Sequence, residues 1–389
     1  MNNTEQIICD LLSYVLFDRP LKLPENVDWA AVDKEINSHA IYGLFREKLD
    51  SLGLPDELKT KWISYNNQII ARCIQLGDGQ NQIISLLNSN GIKYAILKGT
   101  AASQYYSDVY SRSPGDVDFI VKESDYEKAQ NVLENNGYKK CFEHEDNVRH
   151  ESFDKYGIHY ECHRSFADRR FFKADLIDNL INNNIDNSVE VKLQYCSFMS
   201  LPTEINGLVL LEHIAIHIKA GLGLKQIIDW LYFVDKNLDD TQWDGLNGNV
   251  IRACGLDKLA SVVTKVGQMY FGLRNDITWC NNTSDDVCNE FIDLVFSYGN
   301  FGNKNTDEDR VVNNAVRYRS NAIKNLKYSG EHNWKALHKY SWLKPFAPVY
   351  QFFRYVKKVI TTKGAINALL FRKKDIDKRE KLMIDLGIQ

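Results

Sequence analysis

Asp116-Val-Asp118-Phe-Ile-Val-Lys122 reads as a β-strand that carries two carboxylates. Side chains two apart in a strand share a face, so Asp116 and Asp118 point one way while Val117 and Phe119 point the other. Aspartate is a poor strand former, and two parallel anions repel each other unless a cation lies between them. An apolar run interrupted in this way gains nothing in stability. It is what a site needs if it is to hold a divalent cation against a triphosphate.

Upstream, Ile92-Lys-Tyr-Ala-Ile-Leu97 predicts a short strand that hands over at Lys98-Gly99-Thr100 to a helix over 101–106. A glycine at such a junction lets backbone approach a phosphate closely, and the first turn of a helix offers unpaired N–H groups. Lys98 adds a point charge and Thr100 a hydroxyl donor. Ser111-Arg-Ser-Pro-Gly115 predicts a turn, with Arg112, beside Ser113, able to bind phosphate bidentately.

Downstream, Ser124 or Asp125 is a candidate cap for a helix through Ala129 and Leu133 that Gly137 closes. Residues 138–142, 149–156 and 158–163 read as strands, the last two joined in a hairpin at Gly157. In Ile158-His-Tyr-Glu-Cys-His163 the two-residue period puts His159, Glu161 and His163 on one face. The pattern predicts an α+β fold: a βαβ-type unit, then antiparallel strands, in a small mixed sheet with helices on one side.

Helical periodicity flanks this core. It runs from residue 5 to a stop near Asn90-Gly91, and again over 166–343. For a chain of 389 residues this suggests an N-terminal helical region (1–90), an α/β core (91–165), a helical domain bordering the cleft (166–343) and a basic helical tail (344–389). The net charge of -3 advertises neither nucleic acid nor an acidic disordered tail. Eight scattered cysteines suggest reduced thiols in a cytoplasmic protein. The opening residues lack a basic leader, and no apolar stretch is long enough to span a bilayer.

Two further segments carry chemistry. Leu211-Glu-His213-Ile-Ala-Ile-His217 sets two histidines one helical turn apart, a zinc-ligand spacing, but the glutamate precedes the first histidine, so the metalloprotease pattern is not met. A histidine pair facing a cleft is the plainer reading. From Lys344 to Lys374 there are eight Lys/Arg and no acid, with Tyr350, Phe352, Phe353 and Tyr355 interleaved. That pattern suits either an interfacial helix or, more ordinarily, a solvated face packed on its own protein.

The run from Leu97-Lys-Gly99 through Arg112-x-x-x-Asp116-Val-Asp118-Phe-Ile-Val121 to Tyr160-Glu-Cys-His163 resembles the nucleotidyltransferase superfamily that includes DNA polymerase β. More narrowly, it resembles the bacterial group called uncharacterised nucleotidyltransferases, over residues 91–235. The resemblance implies transfer of a nucleoside monophosphate from NTP to an acceptor hydroxyl, with ATP and AMP the expected pair and Mg²⁺ or Mn²⁺ the expected ion. It implies Asp116 and Asp118 as paired metal ligands and Glu161 as the third carboxylate. It also implies His163, His217, Lys225 and Asp229 as cleft residues, the last two on a basic-then-acidic helix. Two departures are visible: Gly99-Thr100 stands for the usual Gly-Ser or Gly-Gly, and the interval from Thr100 to Asp116 is long. The acceptor class stays open among a small molecule, a sugar and a protein, with nucleic acid disfavoured by the charge. Two rival functions remain: a nucleotide-binding regulatory or interaction module without turnover, as in a toxin–antitoxin pair, and a zinc hydrolase built on His213 and His217.

Overall fold

Asn2 and Glu5 cap the first helix reciprocally: the Asn2 side chain accepts from the Glu5 N–H at 3.0 Å, and Glu5 accepts from the Asn2 N–H at 2.7 Å. This computed structural model describes residues 1–141, 149–169, 173–218, 221–320, 322–334, 336–361 and 372–388. Phe142, the anticipated end of a strand, and Lys363 of the basic tail lie outside them.

The chain opens with α1 (Asn3–Phe17), α2 (Trp29–His39), a 3-10 segment (Tyr42–Ser51) and the long α3 (Asp56–Ser89). The anticipated stop at Asn90-Gly91 is present, with Gly91 at φ +63°. Then follow β1 (Tyr94–Ile96), α4 (Lys98–Ser103), β2 (Val117–Val121), α5 (Tyr126–Asn135), β3 (Lys139–Lys140), β4 (His150–Lys155) and β5 (Ile158–His163). After α6 (Ala174–Asn184) come β6 (Val189–Lys192), β7 (Ser197–Ser200), α7 (Thr203–His217) and α8 (Leu224–Asn237). The rest is helical: α9 (Asp240–Asp244), α10 (Leu246–Ala253), α11 (Asp257–Tyr270), α12 (Asp285–Tyr298), α13 (Asp307–Ser320), α14 (Ala322–Asn333), α15 (Ala336–Lys339), α16 (Ala347–Thr361) and α17 (Lys373–Asp385).

The fold is α+β, with one seven-stranded mixed sheet in the order β3-β4-β5-β2-β1-β7-β6. Three details depart from the sequence reading. β1 and β2 pair antiparallel, so the stretch between them is no parallel crossover. β6 and β7 extend the sheet from a region that reads as wholly helical. Helices cover both faces: Ala95, Leu97 and Ile120 pack into the large helical core that includes α1, α7 and α8, while Val117, Phe119 and Val121 pack with α3 and α5. In addition, neither Ser124 nor Asp125 caps α5 through its side chain.

Two glycines set the geometry beneath the site. A methyl on Gly79 of α3 would collide with the Tyr160 hydroxyl and lie 2.5 Å from Ile158 Cδ1, so glycine here lets α3 pack closely onto the apolar face of β5 with those side chains in place. At the hairpin tip Tyr156 and Gly157 take φ of +52° and +73°, the left-handed pair that a two-residue turn requires. That turn locks Lys155 opposite Ile158 and, running back along the ladder, His150 opposite His163.

Candidate active site

β2 and β5 run parallel with Asp118 opposite Glu161, so the two carboxylates emerge side by side on the face turned toward α7 and α8. Asp116 lies one residue before β2. The space between Asp118 and Glu161 is held by Lys98, whose Nζ lies 2.7 Å from Asp118 Oδ1 and 3.4 Å from Glu161 Oε2. Lys98 opens α4 with φ +47°, a left-handed backbone unusual for a side-chain-bearing residue, and this brings its ammonium back over β2.

His163, on the same face as Glu161, places Nε2 3.1 Å from Asp118 Oδ1 and 3.2 Å from Glu161 Oε2. His150 approaches Glu161 Oε1 at 3.5 Å, its ring centroid 4.7 Å from that of His163. His150, Glu161 and His163 form a group whose ligand atoms could converge on one cation. His159, the third residue on that face of β5, turns instead to Asp154 at 2.8 Å.

The electrostatics follow from crowding. Burial would depress the Lys98 ammonium, but Asp118 and Glu161 outweigh it and hold the group above its ordinary range. Burial works against an ionised Glu161, yet Lys98 and the hydrogen bond from His163 keep it far below the usual carboxylate value. Asp116 moves the other way: burial, then Asp118 and Glu161, raise it. Burial and His163 push His150 down to about 2.

A cavity of about 290 Å³ opens over these groups, lined among others by Lys98, Asp116, Asp118, Glu161, His217 and Lys225. Arg112 also borders it, but as a buried residue whose guanidinium binds Asp229 of α8 through two 2.8 Å bonds. Tyr106 donates to the same carboxylate at 2.7 Å. Gly99 passes beneath that guanidinium, and a methyl there would come 3.2 Å from Arg112 Nη1. Arg112 therefore forms a wall of the cleft, its guanidinium engaged by Asp229. Among the described residues Thr100 and Ser113 do not line the cavity, and α4 spans only six residues.

From the helical side, His213 and His217 meet edge to face at 4.7 Å and both face the cavity. Burial lowers His213 well below its ordinary value and His217 to about 4, so both are neutral near pH 7. Among the described residues they belong to no three-ligand group, which leaves the zinc reading without a site. Lys225 faces the cavity too, and burial followed by the nearby Arg112 lowers it to about 8. Beside it sits a residue the sequence reading missed. Gln226 is 1% exposed and borders the cavity, and among the described residues neither its amide nitrogen nor its oxygen has a hydrogen-bond partner.

Residues 25–272 match the family model described as uncharacterised nucleotidyltransferase. The chain belongs to this family. No curated protein matches it. As a family member the chain is assigned nucleotidyl transfer in general terms. The matched span takes in α2 through α11, so it includes every strand among the described residues and all the cavity-lining residues named above. Among the described residues, no helix of this nucleotidyltransferase is long and apolar enough to cross a membrane.

Proposed function

We propose that the chain transfers a nucleoside monophosphate, AMP from ATP, to an acceptor hydroxyl with release of pyrophosphate, and that it requires Mg²⁺ or Mn²⁺. The observation that carries this reading is the register of β2 against β5, which sets Asp118 beside Glu161 with positive charge drawn between them. The donor set fits a divalent ion: Asp118 Oδ1 and Glu161 Oε2 converge on one histidine nitrogen, and Asp116 lies on the same side of β2. Asp116, Asp118 and Glu161 would hold it. Bound there, such an ion neutralises the triphosphate and acidifies the acceptor hydroxyl.

The chain's own residues supply the rest. Lys98 and Lys225 bring cations to the cavity for phosphate oxygens. Arg112, clamped by Asp229, keeps the opposite wall rigid. His163 fixes the Asp118 and Glu161 carboxylates relative to each other. A cytoplasmic setting accords with the eight cysteines, all free.

The test is metal-dependent pyrophosphate release from ATP in the presence of candidate acceptors, with Asp118→Ala as the control. Activity that survives in the folded variant would show the assignment to be wrong. One observation favours a second reading, binding without turnover: Lys98 and Arg112 are both already engaged by carboxylates. Calorimetry separates the two, since tight nucleotide binding with no product by mass spectrometry supports the binder.

A further inference from the structure

α16 and the 3-10 segment before it (Ser341–Phe346) carry a face that the protein leaves open. Trp342 is 68% exposed, Phe353 65% and Ile360 68%, and Phe346, Val349 and Phe352 are each at least half exposed. Phe346, Val349, Phe353 and Ile360 fall at intervals of three, four and seven, which places them along one side of the helix. The other side buries Ala347 and Gln351, while at the edge of the open side Tyr350 stacks on Trp334 with ring centroids 4.8 Å apart. A groove of about 760 Å³ runs along the open side between Trp334 and Thr361.

Cations border this face. Arg354, Lys357 and Lys358 line the groove, and Lys344 is exposed at its start. Among the described residues none of the four pairs with a carboxylate. The sequence has no acid between Glu331 and Asp375, so no sequence neighbour offsets these four cations, although the chain as a whole is at -3. The plainer reading, a solvated face packed on its own protein, predicts polar residues outward. Aromatic and aliphatic residues point outward instead.

We infer that this face docks on an anionic membrane surface, lying in the interface without crossing it. An apolar stripe with a basic flank is what an interfacial helix needs, because insertion buries the aromatics while the flanking cations meet lipid phosphates. Charge complementarity selects the partner: bare Phe and Trp with Lys and Arg beside them, and no acid, suit anionic lipid headgroups over acyl chains. The inference is independent of the active-site assignment, since none of these residues touches that cavity.

The experiment is co-sedimentation of the full chain with vesicles of phosphatidylcholine alone, or with phosphatidylglycerol added. Binding to the anionic vesicles only, reversed by salt, is the expected result. Replacing Arg354, Lys357 and Lys358 by Gln together should lower partitioning on the order of a hundredfold. Phe352→Ser with Phe353→Ser should lower it as well, with unchanged circular dichroism, because the side chains removed are exposed. Failure to bind anionic vesicles at low salt overturns the inference. So does a chain that is dimeric through this face, or one in which the same variants abolish binding to RNA and leave vesicle binding intact.

Discussion

Replacing Lys98 by Met keeps an unbranched apolar stem and removes the charge, leaving Asp118 and Glu161 side by side without their shared ammonium. The lysine side chain is 16% exposed and the two carboxylates are 10% and 19% exposed, so solvent screens the loss only weakly. Removing one partner of a buried ion pair costs about 3–5 kcal/mol. Unfolding entropy near 2.1 cal/mol/K per residue gives about 0.8 kcal/mol/K for this chain if it melts as one unit, so Lys98→Met should lower the Tm by about 4–6 °C in chelator. Mg²⁺ or Mn²⁺ should then raise the variant's Tm more than the parent's, because in the parent the ion competes with Lys98 for the same oxygens. Differential scanning calorimetry of both proteins, with and without metal, measures this. A variant that melts with the parent in chelator would refute Lys98 as the counter-ion, and equal metal shifts in the two would refute cation binding at these carboxylates.

Other expectations follow from single contacts. Asp229→Asn should destabilise the fold by about 3–5 kcal/mol, since it strands the buried Arg112 guanidinium; urea titration reads this directly. Burial raises Glu212, whose Oε1 accepts from the Asp168 N–H at 2.9 Å, to about 8. Its neutral form therefore suits the fold, and its contribution is full below the ordinary carboxylate range and lost as pH rises through about 8. Glu212→Gln should accordingly stabilise the protein increasingly between about pH 4.5 and 8, and parallel stability curves would contradict that. Lys225, lowered to about 8, should give nucleotide affinity that declines as pH rises through that value, and Lys225→Gln should flatten the profile in calorimetric titrations. Gln226→Leu should weaken nucleotide or acceptor binding about tenfold while leaving the fold as stable or more so, because it removes an unpaired buried amide.

What could be read from the sequence was local. Asp116-Val-Asp118, Glu161 and His163 share faces because a strand's period is two, and Tyr156-Gly157 announces its hairpin through a glycine that must turn left-handed. His150 is within reach of the same logic, since the hairpin's register puts it opposite His163. Long-range pairings were out of reach. Arg112 meets Asp229 across 117 residues, and nothing in either segment names the other. β6 and β7 are short and half-exposed at a sheet edge, so their alternation is too brief to stand out from helical neighbours. The antiparallel pairing of β1 with β2 depends on a connection that includes a six-residue helix and a long loop, where a sequence reading expects a crossover.

The two-residue tip at Tyr156-Gly157 is the fulcrum of a lever. The His150–His163 pair sits five residue pairs back from Lys155–Ile158, about 17 Å along the ribbon. Inserting one residue at that remote, solvent-facing bend would flip the alternation of β4 and swing His150 away from Glu161, leaving β5 and its carboxylate where they are. The make-up of the acidic centre could thus be altered by lengthening a loop that never touches it.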